Sequence, residues 1–138
     1  MGTLVSGRSD KQSINGQAAM ALALLSAWEE KRHCAGCGPT LEEVSGQILK
    51  LLDGNIAVHD LGLRRVPGGV YSEEVETFVG HLLAEGLATH RSPIQLTPQG
   101  EELLGTIIRV DSKQHAKAIR DAADLLKLDT SELLAGLI

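Results

Sequence analysis

The sequence predicts a mainly α fold with one small β-hairpin set between two helices. Three observations carry this. The aromatic residues are Trp28, Tyr71 and Phe78 alone, so a core must be assembled from Leu, Ile, Val and Ala, which suits packed helices. Apolar residues recur at three- and four-residue spacing over several stretches, each opened by a capping residue. Between Gly86 and Thr97 that spacing gives way to two short segments around Ser92-Pro93, a hairpin pattern. Helix, hairpin, helix in this order is the arrangement of a winged helix-turn-helix, here with extra N- and C-terminal helices.

Residues 1–13 are polar, glycine-containing and without period, and read as a flexible N-terminal arm. Arg8 and Lys11 in it suit a phosphate contact less well than a solvated tail. Residues 14–138 then form a single domain, a size that supports one core. Asn15 to about Arg32 is a helix with Ala18, Ala19, Leu22, Leu25 and Trp28 on its buried side. His33 to Pro39 is a loop, since two glycines and a proline break a helix. Thr40-Leu41-Glu42-Glu43 is a capping box, and the helix it opens buries Leu41, Val44, Ile48, Leu51 and Leu52. From Asn55 to Gly69 the pattern weakens. Val58 to Arg65 reads as a short helix, the middle one of three, followed by a Pro67-Gly68-Gly69 loop.

Ser72 caps the next helix, with Glu73, Glu74 and Glu76 at its positive end. Val75, Phe78, Val79, Leu82 and Leu83 form its stripe, and Gly86 stops it. Leu87–His90 and Ile94–Leu96 are the strands of the hairpin. Thr97-Pro98 opens another helix in the N-cap and first-turn pattern. Phe78, Leu82, Leu83, Leu96, Leu103 and Leu104 are expected to be buried. Asp111 or Ser112 can cap a fresh helix carrying Ala116, Ile119, Ala122, Ala123 and Leu126. Asp129–Glu132 opens a last short one. The apolar surface after Leu103 exceeds what one small domain covers easily, which predicts a homodimer through residues 103–138.

The net charge of −5 is unevenly spread. Residues 40–105 carry four basic and ten acidic side chains, whereas residues 106–138 carry five of each. No apolar run reaches the ~18 residues of a membrane span, and no signal-peptide pattern opens the chain, so a cytoplasmic protein is expected. No phosphate-binding glycine loop, nucleophile elbow or paired metal-binding histidines appear, so neither an enzyme nor a cofactor is expected. Cys34-Ala35-Gly36-Cys37 is the most conspicuous chemical feature. Two thiolates at this spacing can grip one side of a zinc ion, but no second pair completes four ligands. A redox pair needs a stabilised thiolate beside a sheet. Two free thiols are the favoured reading; zinc, redox chemistry and a disulfide are the alternatives.

The stretch LLAEGLATHRSPIQLTPQGEELL, residues 82–104, resembles the wing pattern of winged-helix regulators of the MarR and PadR type. With GGVYSEEV before it, the chain is also similar to small bacterial winged-helix proteins carrying a Gly-Pro-Tyr-Ser motif, near the Panacea-type antitoxin domains. Gly69-Val70 stand where that motif has Gly-Pro. The resemblance implies a winged helix acting as a regulator or antitoxin-like component.

Such a fold usually presents the helix before the hairpin to its target. Here that helix offers Glu73, Glu74, Glu76, Thr77, His81 and Glu85. Carboxylates there are repelled by phosphates, so docking on a protein through Glu73, Glu74, Glu76, Thr77 and His81 is expected. DNA binding is the alternative, carried by Arg64, Arg65, His90 and Arg91.

Overall fold

Helix α1 (Gly16–Glu30) is the most buried element, and the second and last helices of the chain pack on it. Apart from exposed Gln17, every side chain from Gly16 to Ala27 is buried. The expectation of one apolar side is corrected here. The run from Ala18 to Ala27 holds no charged residue, and a helix apolar all round belongs inside a core. The computed structural model describes residues 12–31, 37–59, 61–67, 69–91 and 93–129. Around α1 lie α2 (Leu41–Asp53), α3 (Glu73–Ala84) and α4 (Pro98–Leu125), giving a mainly α chain. No helix among the described residues is long and apolar enough to cross a membrane.

Six short strands pair into three two-stranded sheets among these residues. β1 (Gln12–Asn15) runs parallel to β2 (Ile56–His59). Gln12 and Ser13 therefore belong to a strand rather than to the arm, whose residues 1–11 lie outside the described residues. β3 (Arg64–Val66) and β4 (Gly69–Tyr71) form an antiparallel hairpin. The short helix expected over 58–65 is thus replaced by strands. The register pairs Val66 with Gly69, so Gly69, expected in a loop, is the first residue of β4, and Pro67 lies in the turn that follows β3. β5 (Ala88–Arg91) and β6 (Ile94–Leu96) form the hairpin the sequence predicted. Ala88 faces Leu96 while His90 faces Gln95, so Thr89 is an extra residue on β5, a bulge.

The helix ends follow the capping rules closely. Asn15 accepts from the Gln17 N–H at 2.8 Å, Ser72 from Glu74 at 3.2 Å and Thr97 from Gly100 at 3.1 Å. Gly86 has a φ of 73°, and the Leu87 N–H donates back to the Leu82 carbonyl at 2.8 Å. This is the closing bond of a left-handed helix stop, where glycine avoids a Cβ clash.

The Thr40–Glu43 box is complete. The Thr40 N–H donates to Glu43 Oε1 at 2.9 Å, and the Glu43 N–H donates to Thr40 Oγ1 at 3.1 Å. Lys31 Nζ, just past the end of α1, lies 3.0 Å from Glu43 Oε2. The Thr40 N–H and then Lys31 hold the Glu43 carboxyl below its ordinary value of 4.5, with slight burial opposing them. A depressed carboxyl stabilises the fold above its unfolded pKa, and that contribution is lost as pH falls through the folded value. Glu43→Gln should therefore melt below the wild type at neutral pH. In acid, below about pH 4.5, the two melting curves should converge. A gap that stays constant from pH 7 to pH 3 (about one Debye-screened surface pair's worth) would contradict this role.

A buried polar link joins three helices. Gln47 Nε2 on α2 donates to Ser26 Oγ on α1 at 2.6 Å, and Ser26 Oγ donates to the Leu126 carbonyl at the end of α4 at 2.9 Å. Because buried polar groups are costly unless paired, this link fixes the relative positions of the three elements.

Helix α4 consists of two helical stretches joined at a kink, which falls a few residues beyond the fresh start expected at Asp111 or Ser112. Its backbone leaves helical geometry at His115. Asp111 Oδ1 lies 3.0 Å from His115 Nδ1, and its other oxygen accepts the Asn15 N–H at 3.1 Å. Asp111 thus ties the start of α1 to the middle of α4. Beyond the kink Ala118, Ile119, Ala122, Ala123 and Leu126 are buried. Among the described residues, the apolar side between Ala118 and Leu126 is therefore covered within the chain. Leu103, Val110 and Leu125 remain exposed on α4, and residues 130–138 lie outside the described residues. Leu103, expected in the core, is 36% exposed, while its neighbour Leu104 is fully buried.

Candidate interaction face

Helix α3 turns Val75, Val79 and Leu82 inward, with Phe78 and Leu83 half-buried. The expected burial of Phe78 and Leu83 is thus only partial. Four-residue steps from Glu73 place Thr77 and His81 in one line along the outer side, and all three are exposed.

That line is a ridge between two depressions. One, of about 580 Å³, is bounded by α3 and the start of α1, with Asn15, Gln17, Met20 and Phe78 among its lining. The other, of about 490 Å³, takes in Tyr71, Glu76 and Gly80. Glu73, Thr77 and His81 line both. The structure therefore brings all five residues of the predicted partner set, Glu73, Glu74, Glu76, Thr77 and His81, to one surface.

They are not equivalent. Glu74 Oε2 accepts the Gly62 N–H at 2.7 Å and the Ser72 hydroxyl at 3.3 Å. Its carboxylate pins the segment before β3 onto the start of α3, so Glu74 supports this surface as well as lining it. Glu76 is half-buried, whereas Glu73 is exposed. Carboxylates in the first turn of α3 also sit at the favourable end of its dipole.

The basic residues named for DNA lie on two different hairpins. Arg64 stacks across β3–β4 on Tyr71, its guanidinium carbon 5.2 Å from the ring centroid. Their backbones form a directly opposed pair, so this cation–π contact follows from the register. His90 is exposed on β5, its Nδ1 3.0 Å from Thr89 Oγ1. The side chains of Arg65 and Arg91 lie outside the described residues.

Asn15, Gln17, Met20 and Tyr71 are the residues that sequence reasoning missed. Asn15 was read as the start of a helix, and nothing local signals that it lines one depression with α3, more than fifty positions along the chain.

The cysteine expectation is corrected. Cys37 is disulfide-bonded, and no free cysteine occurs among the described residues. The chain's one other cysteine, Cys34, lies outside the described residues. The disulfide, one of the alternatives to free thiols, is thus the state of Cys37. No group of three or more His, Cys, Asp or Glu side chains that could hold a metal occurs among the described residues.

Comparison with protein families, curated proteins and solved structures returned no match to this chain.

Proposed function

We propose that this chain is a winged-helix module that acts by docking a protein partner on the outer face of α3. The observation that carries this is the ridge of Glu73, Thr77 and His81 between two depressions whose walls include Met20, Phe78 and Tyr71. Shallow, open surface that mixes polar and apolar side chains suits docking against a partner's surface. The winged-helix assignment rests on the order α3, β5–β6 hairpin, α4, and on the resemblance of residues 82–104 to that pattern. The carboxylates favour a basic partner surface over a phosphate backbone, because each would be repelled in a groove of DNA. The competing DNA reading would have to draw its basic residues from two separate hairpins.

The test reverses charge on the ridge while leaving Glu74 to hold Gly62. A Glu73→Lys, Thr77→Lys variant should weaken a protein partner mainly through slower association and altered salt dependence. In parallel it should gain non-specific DNA binding several-fold at low salt, as phosphate repulsion is removed. Selective retardation of one duplex by the wild type at nanomolar concentration, lost in the variant, would overturn protein docking.

A further inference from the structure

We propose that the partner docked on α3 is a basic α-helix that crosses α3 at Gly80, where the missing side chain sets how closely the two helices approach. This rests on the protein docking proposed above and names the form the partner takes.

Gly80 is a glycine that the fold itself does not use. It lies in the body of α3, whereas the positive φ at the helix stop belongs to Gly86. A Cβ at Gly80 would meet nothing beyond the backbone of α3 within 4 Å. At Gly38 and Gly100, by contrast, a Cβ would strike a carbonyl oxygen. Glycine inside a helix is destabilising relative to alanine, because it loses more backbone freedom on folding. Alanine would therefore fit and hold the helix better. The space it would fill is open only to something arriving from outside the chain.

The setting of Gly80 gives that space a use. Gly80 is half-buried and lines the depression that holds Tyr71, Glu76, Thr77 and His81. Tyr71 is steadied there by the Arg64 guanidinium over its ring. Glu76 and Gly80 are one four-residue step apart, on the row beside the Glu73–Thr77–His81 ridge. A ridge of four-residue steps flanked by grooves is the surface on which a second helix packs, each seating its ridge in the other's groove. With no side chain at Gly80, the axes can close to the short end of the usual ~8–10 Å range. Exposed Glu73 opens the ridge, and residues 40–105 carry four basic against ten acidic side chains. Charge complementarity therefore makes the incoming helix a basic one. Gly46 in α2 is equally open but lines neither depression, which makes it the control.

Titration calorimetry of the full chain with an amphipathic peptide of leucine and lysine tests this. The peptide is longer than ~15 residues, so that it can hold a helix. Gly80→Ala should melt above the wild type, yet bind the peptide about fivefold more weakly or worse, because a methyl group intrudes at the crossing. Gly46→Ala should also melt higher but bind as the wild type does. A peptide of the same composition with a central proline, which breaks the helix, should bind about tenfold more weakly or worse. Lower melting of Gly80→Ala would overturn the proposal, since the fold would then need the glycine. Equal weakening by Gly46→Ala, or equal binding of the proline peptide, would overturn it as well. If Glu73→Lys weakens the helical peptide while Gly80→Ala does not, the crossing at Gly80 is refuted and docking on α3 stands. If neither variant weakens it, or the wild type does not bind, both readings fall.

Discussion

Gly100→Ala is expected to cost about 3 kcal/mol or more, among the largest effects of any single methyl group in the chain. A Cβ at this position would stand 2.0 Å from the Leu87 carbonyl oxygen. That oxygen cannot retreat easily, because it accepts both the Thr97 N–H and the Thr97 hydroxyl at 3.0 Å. Thr97 in turn caps α4 through the Gly100 N–H. The glycine of the Leu-Thr-Pro-Gln-Gly stretch is therefore needed for close approach rather than for an unusual φ. Chemical denaturation of Gly100→Ala against the wild type checks this. A loss under about 0.5 kcal/mol, typical of an unremarkable surface change, would mean that the helix and hairpin are not locked here.

Leu104→Ala is expected to cost about 2–5 kcal/mol, since a fully buried leucine leaves a cavity as well as losing its transfer energy. The neighbouring Leu103→Ala should stay within about 0.5 kcal/mol, because Leu103 is exposed. Equal losses at the two positions would contradict the orientation of α4. Both leucines fit a three- and four-residue apolar pattern when read from the sequence. Ridge position decides between them: Gly100, Leu104, Ile108 and Ser112 share the buried side at four-residue steps, which places Leu103 a hundred degrees away.

The difference between these two leucines shows how far local sequence goes. Caps were legible because each is a contact between residues two or three apart. Ser72, Thr97 and the Thr40–Glu43 box are all where their side-chain chemistry puts them. The hairpin at 88–96 was legible for the same reason, being closed by a short turn. β1 and β2 were not, because four residues of strand acquire their partner from more than forty positions away, and neither half alternates clearly. β3–β4 was hidden by the two arginines that occupy two of the three positions of β3. The restart expected at Asp111 or Ser112 falls instead at the His115 kink, because Asp111 is used in a tertiary contact to Asn15 and a local one to His115 rather than as a cap.

The candidate face was half legible. Capping and periodicity place Glu73, Thr77 and His81 on the outer side of α3 without any structure. The depressions beside them depend on α1 and β4, and packing alone supplies those. Glu74 illustrates the limit most sharply: its position suggests a free carboxylate, yet it holds Gly62.

The most direct measurement of the docking proposal is photo-crosslinking from the ridge. A photoreactive residue replacing Thr77, in the full chain and in its native cell extract, reports whatever meets both depressions. Protein docking predicts one adduct of discrete mass that resists nuclease, disappears when Glu73→Lys is added, and persists when Glu102→Lys is added on exposed α4. A nuclease-sensitive adduct, or a protein adduct indifferent to Glu73→Lys, would contradict it.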